Sequence, residues 1–388
     1  MRAIRLLTGL ACLAIVGVAG CGESRNGVKS QSEELSPQQS DSMQRANDLS
    51  FRAGEMADSM VALMTLEEKA SQLMMPALYS SDDVYTLKAV GEYGKRGIGG
   101  IVLLKGNSAS VVAIADSLRN SSSVPPFVSI DAEWGLGMRL KDEPSYPFNS
   151  DIKEDATEND MFRYGATVGK QCRVIGINMV LGPVVDVAPR GSFMSRRSYG
   201  SDPVRVSDLA VAYSRGLESI GVMSVAKHFP GHGSAIGDSH KSKPVIERSL
   251  HQMDSIDLYP FRKYIEAGLS GVMVGHLAVP AIDPDMQPAA VSHTVISELL
   301  IKELGFNGLV LTDALSMGGA EGAGADKAIE AGADIILAPA DTGKAIESIL
   351  KAVSDGRITE ERLDRSVRKI LFYKFLMELR KGLHYLVI

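Results

Sequence analysis

The stretch GVMSVAKHF, residues 221–229, is a continuous apolar run that ends in a lysine and a histidine. It lacks the alternation of apolar and polar residues seen in half-exposed strands, and it therefore predicts a strand buried on both faces. Similar runs occur at 71–78, 99–104, 125–131, 178–187, 270–276, 307–313 and 332–339. Amphipathic segments such as TVISELLIKEL (294–304) lie between most of them. Eight buried strands joined through helices predict an α/β fold, a single-domain (β/α)8 barrel, with a doubly wound open sheet as the alternative.

Reactive side chains stand at the ends of five of these runs. They are Asp131, Asp186, Lys227 with His228, His276 and Asp313. The C-terminal ends of all strands in a barrel meet at one mouth, where catalytic groups lie. This placement favours the barrel over the open sheet, and it predicts a catalytic site at the mouth.

The segment KHFPGHGSAIGDSH (227–240) is rich in histidine, which raises the question of a metal site. His228 and His232 have the i, i+4 spacing of a helical zinc site, but Pro230 and Gly231 break any helix between them. The adjacent Lys227 would also repel a metal ion. We therefore expect no metal or other cofactor, and we interpret His232 as a residue that shapes the loop.

Asp238 and His240 form a more specific pattern in the same segment. An aspartate two residues before a histidine can hydrogen-bond the imidazole and fix its tautomer, as a general acid/base requires. Asp313 is the candidate partner, because a carboxylate at a strand end can attack as a nucleophile or stabilise a cation. The alternative role for Asp313 is a helix N-cap.

These motifs resemble a known family. KHFPGHG followed by DSH, and then LTDALSM (311–317), resembles the bacterial β-N-acetylglucosaminidases of glycoside hydrolase family 3. Further segments are similar to the family's opening helix, third strand, arginine loop, sixth strand and closing helix: MTLEEKASQL, SIDAEWGLGMRL, RRSYGSDP, VMVGHLAVPAID and GRITEERLDRSVRKIL. The resemblance implies a (β/α)8 barrel and a retaining exo-β-N-acetylglucosaminidase. Such an enzyme releases terminal N-acetylglucosamine from peptidoglycan fragments or chitin oligosaccharides through a covalent glycosyl-enzyme.

The resemblance also implies roles for individual residues. By position, Asp313 matches the nucleophile, His240 the acid/base and Asp238 its orienting partner. Residues that match the sugar-holding positions are Asp131, Arg197, Lys227, His228 and His276. Trp134 replaces a glycine of the family pattern, which leaves substrate preference open.

Two other functions fit the same residues. One is a β-N-acetylglucosaminide phosphorylase, because a histidine acid/base repels an incoming phosphate less than a carboxylate would. The other is a non-catalytic carbohydrate-binding lipoprotein, which Trp134 and the polar N-terminal segment would suit.

The N-terminal region has the pattern of an export signal. Arg2 and Arg5 precede an apolar run that ends in VAGC, which predicts a lipoprotein signal peptide over 1–20 and lipidation of Cys21. Polar residues over 21–50 predict a flexible tether, followed by the catalytic domain over 51–388. We expect a lipid-anchored protein of the bacterial cell envelope, on the periplasmic or surface side of a membrane.

Composition and helix-start signals complete the sequence-based expectations. Without Cys12 and Cys21, only Cys172 remains, so no internal disulfide is expected. The net charge of −6 argues against a nucleic-acid partner, and the oligomeric state stays open. Thr65 with Glu68 predicts a capping box, and Thr359 is expected to cap a closing helix.

Overall fold

The structure is a computed structural model that describes residues 37–81, 83–235, 244–317, 320 and 322–384. Three residues singled out from the sequence, Cys21, Asp238 and His240, lie outside the described residues. The described strands are β1 (Met74–Met75), β2 (Ala77–Ser80), β3 (Gly100–Gly106), β4 (Phe127–Ile130), β5 (Met179–Val180), β6 (Met223–Phe229), β7 (Gly271–Val274), β8 (Leu309–Thr312) and β9 (Ile336–Leu337).

All pairs between these strands are parallel. Strands β2 to β8 follow one another in the sheet in sequence order, and β1 pairs with β9. An isolated bridge joins Leu311 of β8 to Ile335, immediately before β9, and the Val102 amide of β3 donates to the Pro76 carbonyl between β1 and β2. The result is a curled parallel sheet, a half-barrel. The doubly wound alternative is wrong, because the strand order never reverses.

Helices connect most of the strands. They are α1 (Pro37–Val61), α2 (Leu66–Gln72), α3 (Val84–Arg96), α4 (Ser108–Ser121), α5 (Glu158–Val174), α6 (Pro203–Ser219), α7 (Leu250–Gln252), α8 (Leu258–Glu266), α9 (Ala325–Ala331), α10 (Thr342–Ser354) and α11 (Glu360–His384), with a π-helical segment at Thr294–Glu303. None of the helices in the described part of the chain is long and apolar enough to span a membrane.

Local signals decide where several of these elements begin. The predicted capping box is confirmed, since Thr65 Oγ1 accepts from the Glu68 amide at 3.3 Å and Glu68 accepts from the Thr65 amide at 2.8 Å. The Arg362 amide donates to Thr359 Oγ1 at 3.2 Å, as expected for the cap of α11. The predicted run at 71–78 is divided into two short strands at Pro76, which has no amide hydrogen for a ladder bond.

Two expectations need correction. Helix α1 begins at Pro37, before the expected start near Phe51, so residues 37–50 are helical and do not form a flexible tether. Helix α1 places Leu49, Ala53 and Ala57 at four-residue spacing in the core, and this stripe was missed because it is mostly alanine. The run at 178–187 forms only the short strand β5, after which Val184 makes an isolated bridge to Lys227.

Buried side chains fill the space within the sheet and between the sheet and the helices. Phe229 of β6 packs edge-to-face on Phe261 of α8, with ring centroids 5.1 Å apart. The residues of β4, β6, β7 and β8 are buried throughout, which explains why their sequences lack alternation. This packing fixes the strand ends, and therefore the side chains that follow them.

Candidate active site

A cavity of about 430 Å³ opens at the carboxyl ends of the strands. Five predicted site residues line it: Asp131, Arg197, Lys227, His228 and Asp313. Asp131 follows β4, Lys227 and His228 end β6, and Asp313 follows β8, as the sequence predicted. Arg197 comes from the loop after β5, where the Asn149 side chain donates to its carbonyl at 2.6 Å.

An ion-pair network forms one wall of this cavity. Lys227 Nζ lies 2.7 Å from Asp131 Oδ1 and 2.8 Å from Glu133 Oε1. Arg197 binds Glu133 with two parallel hydrogen bonds, of 2.8 Å and 2.6 Å, and Arg139 pairs with Asp131. Glu133 and Arg139 were not predicted, although both lie in the segment SIDAEWGLGMRL.

Burial and charge oppose each other in this network, and charge prevails. Burial acts to raise the pKa of Asp131 and of Glu133, but the neighbouring cations hold both pKa values below their usual range. Burial likewise acts to lower the pKa of Lys227, yet Asp131 and Glu133 raise it. The network stays fully charged at neutral pH, so it can orient sugar hydroxyls by hydrogen bonds but is unsuited to proton transfer.

Asp186 organises the other wall. Its fully buried carboxylate accepts from the His228 amide at 3.1 Å and the His232 amide at 2.6 Å, while Oδ2 lies 2.9 Å from His228 Nδ1. A carboxylate can only accept, so the proton of a neutral His228 lies on Nδ1 and its Nε2 is an acceptor. Nε2 accepts from Arg197 Nη2 at 3.5 Å. The sequence identified Asp186 as a strand end but gave it no role.

His232 is buried beside this cluster. Its ring lies between those of His228 and Phe193, with centroids 5.8 Å and 5.7 Å away. Neither ring nitrogen has a hydrogen-bond partner among the described residues, and burial lowers its pKa. Within the described ranges, no group of three or more His, Cys, Asp or Glu side chains could hold a metal ion.

Asp313, directly after β8, is a buried carboxylate in the cavity. Its amide donates to the Val274 carbonyl at 2.8 Å, and its Oδ1 accepts from the Ala314 amide at 2.8 Å. Burial acts to raise its pKa, but His228 and then His276 lower it, so the group is ionised at neutral pH. An N-cap accepts from the second or third amide of its helix, whereas the described contact of Asp313 is with the amide of the next residue, so this contact does not support the N-cap alternative.

His276 lies next to Asp313 but has a different environment from the other predicted residues. It is fully buried, its Nε2 is 3.1 Å from the Ala314 carbonyl, and it is not among the described residues that line the cavity. Burial lowers its pKa, although Asp313 opposes this effect, so its ring is neutral. His276 therefore supports the backbone beside Asp313.

Two aromatic side chains, Trp134 and Phe193, line part of the cavity. Trp134 lines the cavity and packs on Phe148 with ring centroids 4.7 Å apart, while Arg196 lies 3.9 Å from the Phe148 ring centre. Phe193, which is 44% exposed, also lines the cavity. Small-ligand pockets usually combine aromatic side chains with a few placed polar groups, and this cavity has both.

Comparisons with known proteins agree with this arrangement. Residues 65–372 match the family model described as the glycosyl hydrolase family 3 N terminal domain. A β-N-acetylglucosaminidase/β-glucosidase from Cellulomonas fimi is 29% identical over 340 residues, which cover 83% of this chain and 59% of that protein. A β-hexosaminidase from Nitrosomonas eutropha is 30% identical, covering 70% of this chain and 84% of that protein.

A solved structure gives a similar result. The glycoside hydrolase family 3 β-N-acetylglucosaminidase from Paenibacillus sp. str. FPU-7 superposes with a TM-score of 0.74 at 32% identity. The match covers 82% of this chain and 63% of that protein. The chain thus spans less than two thirds of the Cellulomonas fimi protein and of this structure.

Proposed function

This chain belongs to glycosyl hydrolase family 3, and on that basis we propose that it is a retaining exo-β-N-acetylglucosaminidase. The observation that carries the proposal is the ionised, buried Asp313 in a sugar-sized cavity that has a charged wall. The names of the Cellulomonas fimi, Nitrosomonas eutropha and Paenibacillus proteins support N-acetylglucosaminides as substrates. The substrate class is a terminal β-linked N-acetylglucosamine on a peptidoglycan fragment or a chitin oligosaccharide.

The proposed reaction has two displacement steps. In the first, an Asp313 carboxylate oxygen bonds to the anomeric carbon, the glycosidic bond breaks, and His240 gives its proton to the departing oxygen. In the second, His240 takes a proton from water, whose oxygen attacks the anomeric carbon and releases Asp313. Two inversions give net retention of configuration. The roles of His240 and its partner Asp238 rest on the resemblance of the DSH motif.

The charged wall positions the sugar in this mechanism. Lys227 and Arg197 donate to hydroxyl oxygens, while Asp131 and Glu133 accept from hydroxyl hydrogens. Because the ion pairs already fix these side chains, little conformational freedom is lost when the sugar binds.

The main test is an assay of an aryl β-N-acetylglucosaminide with wild type, Asp313→Ala and His240→Ala. We expect Asp313→Ala to reduce kcat by at least about a thousandfold, since it removes the nucleophile. Full activity in Asp313→Ala would exclude it as the nucleophile. Product analysis with and without inorganic phosphate separates hydrolysis, which gives free sugar in both buffers, from the phosphorylase alternative. Saccharide binding without turnover would support the non-catalytic alternative instead.

We also propose that the curled sheet closes as a (β/α)8 barrel within one catalytic domain. In support, β1 and β2 flank Pro76 as one bent strand, β9 pairs with β1, and Ile335 bridges to β8. Counted in this way, the strands number eight, as a (β/α)8 barrel requires. An experimental structure with an open edge between β8 and β9 would exclude closure.

We propose, finally, that Cys21 carries a lipid that anchors the protein to a membrane of the cell envelope. The VAGC sequence after a basic start and an apolar run supports this assignment. Detergent-phase partitioning of the expressed full chain tests it. Wild type is expected in the detergent phase and Cys21→Ser in the aqueous phase, and equal partitioning of the two would refute the anchor.

A further inference from the structure

One buried carboxylate, Asp257, contacts the chain on both sides of residues 236–243, the segment that carries Asp238 and His240. Asp257 ends the π-helical segment Met253–Asp257, directly before α8, and it is fully buried. It is absent from the described lining of the catalytic cavity at the strand ends, and the proposed reaction does not use it. Because π-helical turns are rare and are frequent at functional sites, this carboxylate is a candidate for a functional role.

On the side before residues 236–243, Asp257 packs against a turn at Gly231. The Gly231 amide donates to the His228 carbonyl at 2.7 Å, and its φ of 121° lies in the left-handed region that favours glycine. A Cβ at Gly231 would lie 2.7 Å from Asp257 Cβ and 3.2 Å from Oδ1, so the turn rests directly on this side chain. The amide of the next residue, His232, donates to Asp186 at 2.6 Å. The chain therefore leaves β6 in a fixed direction.

On the side after residues 236–243, Asp257 is joined to Arg248. Arg248 Nη1 donates to Asp257 Oδ2 at 2.7 Å. Three residues before Arg248, Val245 forms an isolated bridge with Ala278, which follows β7. The returning chain is thus held at two points, and one of them is the same carboxylate that supports the turn on the other side.

The energetics of this carboxylate favour a positioning role over a stabilising one. Burial raises the pKa of Asp257 to about 6, although Arg248 opposes this effect and Asp186 adds to it. In the part of the chain that the structure describes, Asp257 Oδ1 is buried without a hydrogen-bond partner. Such an ion pair contributes little net stability, because desolvation of the two charges offsets their attraction. The pair does, however, fix the distance between the two parts of the chain that it joins.

We propose that Asp257 is a positioning residue for the acid/base: together with Arg248, it holds the chain on both sides of residues 236–243 and so determines where His240 meets the departing oxygen. The inference rests on the proposed function, which assigns proton transfer to His240. A proton donor must lie within hydrogen-bond reach of its acceptor, and a displacement of about 1 Å can cost a hundredfold in rate. Loss of Asp257 therefore impairs proton donation more than it impairs attack by Asp313.

The test uses two aryl β-N-acetylglucosaminides whose leaving groups differ in acidity, 2,4-dinitrophenol and phenol. Departure of dinitrophenolate needs little proton donation, whereas departure of phenol depends on it. We expect Asp257→Ala to lower kcat/KM by roughly 10- to 100-fold on the phenyl substrate and by less than about threefold on the dinitrophenyl substrate. Asp257→Asn, whose amide oxygen can still accept from Arg248, should lose much less on the phenyl substrate.

Three further variants separate positioning from a general effect on the fold. Arg248→Met breaks the same ion pair and should show the same substrate dependence, which decides the question if Asp257→Ala does not fold. Asp334→Ala is the matched control, because Asp334 is a buried aspartate that pairs with Lys369 and does not line the catalytic cavity. It should affect both substrates equally. Added to His240→Ala, the change Asp257→Ala should cause no further loss on the phenyl substrate, because the residue through which it acts is already gone.

The outcomes that would overturn the positioning role are distinct. Equal losses on the two substrates in Asp257→Ala and Arg248→Met, or wild-type activity of both variants on the phenyl substrate, would leave Asp257 with a structural role only. A further loss in the double variant with His240→Ala would show that Asp257 acts by another route. If the wild type cleaves neither aryl substrate, or if His240→Ala retains full activity on the phenyl substrate, the proposed function itself is wrong, and both of these results are obtained without any change at Asp257.

Discussion

Replacing Asp186 by asparagine tests how the fold controls the protonation of His228. The asparagine side chain would keep one oxygen for the two backbone amides that Asp186 now binds, but it would present an NH2 group to His228 Nδ1. Two donors cannot face each other, so the ring must move its proton to Nε2. That N–H would then point toward Arg197, whose Nη2 lies 3.5 Å away, and the acceptor in the cavity would be lost.

The size of the effect follows from the hydrogen bonds involved. A hydrogen bond to a charged group contributes about 1.5–3 kcal/mol, and the bond from Nδ1 to the Asp186 carboxylate belongs to this class. If the lost acceptor at Nε2 costs the same in the transition state, kcat/KM falls by roughly 10- to 150-fold. The free energy of unfolding should fall by about 1–3 kcal/mol, because Asp186 is fully buried.

The assay is kcat/KM on the aryl substrate, with thermal unfolding measured on the same preparations. Asp283→Asn is the control: Asp283 is also buried and accepts from Ser292 Oγ at 2.5 Å, but it does not line the catalytic cavity. A folded Asp186→Asn whose kcat/KM stays within about threefold of wild type would refute the tautomer argument. Equal losses in both variants would show a general effect of changing a buried carboxylate.

Three further predictions concern stability. Glu133→Gln removes the carboxylate charge that pairs with Arg197 and Lys227. It should lower the free energy of unfolding, measured by urea titration, by about 3–5 kcal/mol, and an unchanged urea midpoint would contradict this. Burial lowers the pKa of Lys374 from 10.5 to about 7. Between these two pH values the unfolded chain binds one more proton than the folded chain, so the free energy of unfolding of the wild type should rise as the pH rises. Lys374→Met lacks the titrating group, so its free energy of unfolding should not show this rise, and its difference from the wild type should shrink as the pH rises. Parallel plots of unfolding free energy against pH for the two proteins would contradict the burial argument. Gly165→Ala places a Cβ 2.0 Å from the Tyr213 carbonyl and should destabilise the protein by about 1–3 kcal/mol. Gly91→Ala, in a helix with open space around it, should be neutral or stabilising, and similar melting temperatures would rule out the steric explanation.

Sequence pattern predicted the sheet better than it predicted the connections. Strands such as β6 and β8 are buried on both faces, so their sequences are apolar throughout and bounded clearly. Strand β5 was overestimated, because the residues after Val180 are equally apolar but make only single hydrogen bonds and an isolated bridge to β6. Helix α1 was missed because its buried stripe consists largely of small alanines, which carry little hydrophobic signal.

Some contacts of the site could not be predicted from the sequence, because they join residues that are far apart in the chain. Asp131 and Lys227 were identified singly, since each ends a strand, but their pairing across strands depends on the register of the sheet. Glu133 carries no local signal for its two partners, which lie on two other segments of the chain. Likewise, a strand-end Asp186 could be catalytic or structural until its contact with His228 was known.

The charge of the assembled site accounts for the proposed chemistry. Three cations and three carboxylates line the cavity, Arg139, Arg197 and Lys227 with Asp131, Glu133 and Asp313, and the fully buried Asp186 contacts the cavity residue His228. The cations hold the pKa values of Asp131 and Glu133 below their usual range despite burial, and with Asp186 the formal charges of these seven side chains sum to one negative charge. A glycosidase transition state develops positive charge at the anomeric carbon, and a fixed negative site stabilises it more than it stabilises the neutral substrate. When Asp313 bonds to the sugar, that excess charge is removed, and hydrolysis of the ester restores it.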